Sequence, residues 1–247
     1  MNNKYRAMAA LLAGLIFQAA GASAQYYFDA ETGAVWAGSN NARIPREGGT
    51  SFSLTNDLES EAEPYLRVRV GRKFGKSDIS FLAAPLTLRS KGSFDRPVTF
   101  NGSVFAAGLR TEAVYRFNSY RLKYLYEFYR GEGLVMRWGG ALKLRHAGVR
   151  LTNAAVSSEY RNTGFVPLAA FSGEYSFGRG YALLLDAEAL GAPQGRAEDI
   201  MLALTKQAGP GLRLRAGYRM LEGGSGAGEV YTFAWLHYFL AGLTYEF

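Results

Sequence analysis

Two histidines, His146 and His237, are the side chains best suited to acid–base work in this 247-residue chain, which has no cysteine for a thiolate nucleophile or a thiolate metal site. A general base also needs an orienting partner and a nucleophile within reach, and neither His has one marked by local spacing. Asp57, Glu59, Glu61 and Glu63 alternate along one segment and could offer oxygens to Ca²⁺, yet the glycine and closing glutamate of an EF-hand loop are missing. The segment reads as a solvated, charged loop. EGGSGAGE at 222–229 is glycine-rich but precedes a strand pattern and lacks the Gly-Lys-Ser/Thr ending of a phosphate loop, so it reads as a flexible surface connection. RLKYLYEFYR at 121–130 mixes cations with aromatics, as single-strand binders do. The net charge argues against nucleic acid: it is +7, and falls to +5 without Lys4 and Arg6. No cofactor and no metal are expected.

The elements that must position these residues begin after a leader. Residues 1–24 carry Lys4 and Arg6, a short apolar stretch from Ala7 to Ala20, and the Ala22-Ser23-Ala24 pattern of a cleaved signal peptide, with cutting expected before Gln25. The apolar stretch is short for a spanning helix, which needs about 20 residues. The mature chain, 25–247, is therefore read as an exported protein forming one β domain. Its composition of 14% aromatic residues with 30 Gly and 7 Pro suits strands joined by permissive turns.

Alternation with period two recurs over ten segments: 26–37, 63–75, 77–90, 111–129, 133–152, 163–177, 180–191, 198–207, 211–222 and 230–247. GKSD (75–78), RGEG (130–133), GRG (178–180) and AGPG (208–211) are tight turns after even-numbered strands. The connections after odd strands, 38–62, 91–110, 153–162, 192–197 and 223–229, are expected to be mostly longer. Short turns on one side and longer loops on the other predict an antiparallel up-and-down transmembrane barrel of ten strands, eight being the alternative, with both termini periplasmic.

The two faces separate by charge, because a cation near the bilayer midplane costs about 2–4 kcal/mol on the lipid side and little in the lumen. Leu66, Val68 and Val70 alternate with Arg67 and Arg69; Tyr120, Leu122, Tyr124 and Tyr126 with Arg121 and Lys123. Met136, Trp138, Leu142 and Leu144 alternate with Arg137, Lys143 and Arg145; Leu212, Leu214 and Tyr218 with Arg213, Arg215 and Arg219; Leu183, Leu185 and Ala187 with Asp186 and Glu188. Adding Lys73, these cations are expected to face Asp29, Glu31, Glu127, Glu174, Asp186, Glu188 and Glu246 across the lumen.

The last strand puts Phe239, Ala241, Leu243, Tyr245 and Phe247 in one register. It resembles the C-terminal assembly signal of small Gram-negative outer-membrane β-barrel proteins, whose terminal aromatic strand is recognised by the barrel-assembly machinery. APQGRAED (192–199) and AGYRMLEGG (216–224) look like pieces of a group of bacterial barrel proteins to which no activity attaches. The resemblance implies an integral outer-membrane location, with membrane lipid and lipopolysaccharide as surroundings.

Within that class, a lipid A deacylase of the barrel type carries His and Ser two apart, and an omptin-type protease carries Asp two before a His. His146 is followed by Ala147-Gly148 and His237 by Tyr238-Phe239; Leu144 and Trp235 stand two before them. Neither pattern is met, and both histidines read as interfacial imidazoles in an aromatic girdle. His237 would sit ten residues above Phe247, about 24 Å up a tilted strand. Ten strands leave a constricted lumen. The expected function is a largely plugged barrel with a structural or binding role for its outer loops; the alternatives are a narrow anion-preferring pore and a lipid A-modifying enzyme.

Overall fold

The computed structural model describes residues 25–193, 195–226, 228 and 230–247; the expected signal peptide lies outside the described residues. Ten long strands form the wall: β1 (Gln25–Arg43), β2 (Glu63–Phe74), β3 (Ser77–Ala84), β4 (Arg110–Gly131), β5 (Leu134–Asn153), β6 (Ser157–Gly178), β7 (Tyr181–Ala192), β8 (Gly195–Gly209), β9 (Leu212–Ser225) and β10 (Tyr231–Glu246). Each pairs antiparallel with the next. β10 returns to β1 and closes the barrel.

The closing seam runs from Tyr27↔Glu246 to Arg43↔Tyr231, with an irregularity between Ala37 and Ser39. Backbone bonds continue it to the last residue: Tyr26 N–H donates to the Phe247 carbonyl at 3.1 Å and Phe247 N–H to that of Tyr26 at 2.9 Å. At Gly33 the chains approach so closely that a Cβ would lie 2.1 Å from the Phe239 carbonyl oxygen, and φ is +147°. Only glycine accommodates both conditions.

The four expected tight turns join β2–β3, β4–β5, β6–β7 and β8–β9 at the end that carries both termini, with glycines at positive φ such as Gly75, Gly133, Gly180 and Gly211. The opposite end corrects two expectations. Segment 153–162 is not a long loop: β5 and β6 stay paired to Thr152↔Ser157, and the Asn153 side chain accepts from Ala155 and Val156 N–H at 2.9 and 2.8 Å. Segment 192–197 is likewise a hairpin tip, with Ala192 opposite Gly195. Backbone ladders continue past the point where the side-chain pattern loses its apolar half, so alternation understates strand length there. β1 similarly extends to Arg43 rather than residue 37.

Two long connections remain at this end. Part of the second is a continuation of β3: Thr87–Ser93 pairs with Arg110–Arg116 of β4 beyond a break at Pro85, which has no N–H for the ladder. The two connections pack on each other. Phe52, Leu54 and Leu58 of the first bury against Phe94, Val98, Phe100 and Phe105 of the second, and the cluster rests on Leu88, Val149 and Leu151 of the wall. Phe52 meets Phe94 and Phe100 edge-on, with centroids 5.7 and 5.6 Å apart. These two connections thus build a small apolar core of their own, a cap on the end of the barrel opposite the termini.

Candidate functional site

The pleat aims alternate residues of every strand at the axis. Outside are Leu66, Leu122, Tyr124, Tyr126, Trp138, Leu142, Leu183, Leu202 and Leu204, all exposed although large and apolar. Inside, at the same heights, are buried Glu31, Arg67, Arg121, Lys123, Asp186, Glu188, Asp199 and Arg219. A soluble domain reverses this arrangement, because water is the medium outside its core.

The inward charges form one connected network. Arg121 bridges Glu188 at 2.7 Å and Asp199 at 2.6 Å. Arg219 holds Glu31 at 2.8 Å and Asp199 at 2.5 Å, while Arg67 reaches Asp199 at 3.1 Å and Glu31 at 3.6 Å. Lys123 joins Asp186 at 2.8 Å to Glu188 at 3.0 Å, and Arg69 adds a contact to Asp186 at 3.5 Å. Arg215 pairs with Asp29 and lies 3.2 Å from Glu31. Arg121 is 1% exposed, as buried as Phe94 in the loop core. Each cation reaches a carboxylate, which is what makes charge tolerable so far from water.

Toward the terminal end the pairs are more open: Lys73 with Glu246, Arg213 with Glu174 at 2.7 Å, and Arg137 with Glu127 at 3.5 Å. Of the cations singled out from the sequence, Lys143 and Arg145 stand apart. Among the described residues neither has a carboxylate within 4.0 Å; Lys143 Nζ lies 5.7 Å from the Phe117 ring, and Arg145 donates to the Asn162 side chain. Asp199, which engages Arg67, Arg121 and Arg219, was not singled out from the sequence. Its signal was available, since Ile200, Leu202 and Leu204 face outward and turn Asp199 inward.

The network divides the lumen. On the loop side lies a cavity of about 590 Å³, with Lys143, Arg145, Val149, Val166, Leu190 and Phe233 among its lining residues. On the terminal side a cavity of about 110 Å³ is lined by Lys73, Asp78, Arg137, Arg213 and Glu246.

The histidines belong to the outer surface. His237 stacks on Trp36, with centroids 5.4 Å apart, sits 4.6 Å from the Trp235 ring and pairs with the Tyr218 hydroxyl. His146 Nδ1 is 2.8 Å from Thr163 Oγ1. The acidic run of the first loop engages cations of the second: Asp57 with Arg96 at 3.2 Å, Glu61 with Lys91 at 2.6 Å, and Glu63 with Arg89 at 3.4 Å. The hydrogen bond from Lys91 holds the Glu61 carboxyl below the usual carboxylate range. Phe239, Leu243, Tyr245 and Phe247 lie exposed in one outward register, Phe247 stacking on Tyr245 and Tyr26.

An apolar belt outside, a charged interior and a closed antiparallel wall define a transmembrane β-barrel of the outer-membrane class. The outer membrane protease OmpT from Escherichia coli has a similar fold, with a TM-score of 0.54 at 10% identity over 92% of this chain and 99% of that one. Ail, the attachment invasion locus protein of Yersinia pestis, aligns with a TM-score of 0.39 at 11% identity over 90% of this chain and 99% of its own. Neisserial surface protein A aligns with a TM-score of 0.34 at 14% identity, over 91% and 99% of the two chains. No protein-family model and no curated protein matches the chain.

Proposed function

We propose that this protein resides in the outer membrane with both termini on the periplasmic side, and that its barrel is a closed, ion-paired support for an outward-facing, loop-capped binding end rather than a conducting pore. Export by a cleaved leader and delivery by the barrel-assembly machinery through the Phe239–Phe247 strand complete the reading, with lipopolysaccharide as the outer surroundings. The observation that carries it is the interlocked set Glu31, Arg67, Arg121, Glu188, Asp199 and Arg219, each nearly inaccessible, lying between the two cavities. A pore needs weakly held ions and water along its axis; these groups hold each other instead. The outward placement of His146 and His237 supports an interfacial role over catalysis.

Single-channel recording in planar bilayers tests the proposal. Silence over a range of voltages is expected, and steady unitary conductance would overturn it.

A further inference from the structure

The barrel wall is not paired to its full height. β6 and β7 are joined from Ala169↔Ala189 down to Gly178↔Tyr181 and no further. Above that point β6 keeps only β5, while β7 turns into β8 at Ala192↔Gly195. Pro167 stands two residues beyond the last pair, and a strand proline belongs at an edge because it has no N–H to offer. Phe165, Val166 and Pro167 on one side of the parting and Leu190 and Ala192 on the other all line the outer cavity. Phe165 is 70% exposed, the most of any large apolar side chain among the described residues. An open strand edge is costly in hydrocarbon unless it lines a cavity, and here it does.

Two cations without a carboxylate partner among the described residues, Lys143 and Arg145, line the same cavity, beside the paired Arg196 and Glu222. Lys143 is 3% exposed with no carboxylate partner among the described residues, and the Arg145 Nε is buried without a hydrogen-bond partner. An unmatched buried cation is expensive, and an anion relieves it. The walls around the pair are largely apolar, with Val149, Leu190, Phe233 and Ala234 among them. The volume of about 590 Å³ is that of a small-molecule site.

We infer that this cavity binds a single-chain amphipathic anion, its carboxylate or phosphate head on Lys143 and Arg145 and its hydrocarbon tail toward the parting between β6 and β7, through which it enters from the surrounding lipid. The inference rests on the sealed lumen proposed above, which makes the cavity blind.

The test is fluorescence titration of the protein in phosphatidylcholine nanodiscs with 11-(dansylamino)undecanoic acid. Saturable binding is expected, displaced by dodecyl phosphate but not by inorganic phosphate, with the methyl ester of the probe weaker by roughly tenfold or more, as for loss of one charge-assisted contact. Lys143→Met should weaken binding to a similar degree and Lys143→Arg should largely restore it. Ala192→Trp should slow association of probe delivered from vesicles. Heat-modifiable gel migration verifies that each variant is folded. Absence of saturable binding, or equal binding of acid and ester with no effect of Lys143→Met, overturns the site; unchanged association in Ala192→Trp overturns the lateral route. Absent binding in a protein that is silent in bilayers sinks this inference alone, whereas steady conductance sinks the sealed lumen beneath it.

Discussion

Arg219 donates to Glu31 at 2.8 Å across 188 residues of sequence, joining the first strand of the barrel to the ninth through the lumen. The contact passes over β10 on the lumen side of the wall, and Asp199 of β8 ties the same guanidinium across the lumen to Arg67 of β2 and Arg121 of β4.

Asp199→Asn should therefore destabilise the barrel far more than a surface charge change would. Three guanidiniums lose a carboxylate at once, and breaking a buried pair from one side costs about 3–5 kcal/mol. The check is the temperature at which the compact gel band converts to the unfolded one. Combining Asp199→Leu with Arg219→Met should be less damaging than the sum of the two single changes, because they share a network.

Leu122 is 52% exposed on the outer face between Tyr120 and Tyr124, so Leu122→Arg should cost about 2–4 kcal/mol in urea unfolding from vesicles. Val104→Arg, at a position 62% exposed in the loop cap, should be close to neutral. Equal effects would contradict the assignment of the two surfaces to lipid and water.

Deleting Phe247 removes a ring stacked on Tyr26 and both backbone bonds that finish the seam. The fraction of chain recovered as heat-modifiable barrel in the outer membrane should fall; normal recovery would contradict the role of this strand in assembly.

The loop cap should loosen in acid. Lys91 holds Glu61 below the usual carboxylate range, so the bridge contributes above the pKa of the unfolded carboxylate and is lost as pH falls through the lower folded value. The protection factors of the Glu59–Ser60 strand amides, corrected for the intrinsic pH dependence of exchange, should be lower at about pH 3 than at about pH 6, and Glu61→Gln should shrink the difference. The pair is exposed, so the effect should be small and weaker still in salt.

Alternation made the wall legible because period two is a local property: Leu66 to Val70 against Arg67 and Arg69 can be read without knowing any partner. Which carboxylate meets which cation is not local. Arg121 finds Glu188 and Asp199 only after the barrel has closed, and the loop core of Phe52, Phe94 and Phe100 depends on two segments far apart in the chain. The long β5–β6 hairpin was hidden for a different reason. Its outer part carries Glu159 and Arg161, whose polarity reads as loop although the backbone ladder continues. Pro167 was the overlooked signal, a strand proline that marks the edge where β6 leaves β7.

The most direct test of the inverted barrel uses the absence of native cysteine. Spin labels placed singly at Leu122→Cys and Leu202→Cys in lipid vesicles report, by power saturation, whether oxygen dissolved in lipid or an aqueous nickel chelate reaches them. Both labels should be relaxed by oxygen and shielded from nickel, with Val104→Cys showing the opposite; nickel access at Leu122 and Leu202 would contradict the account.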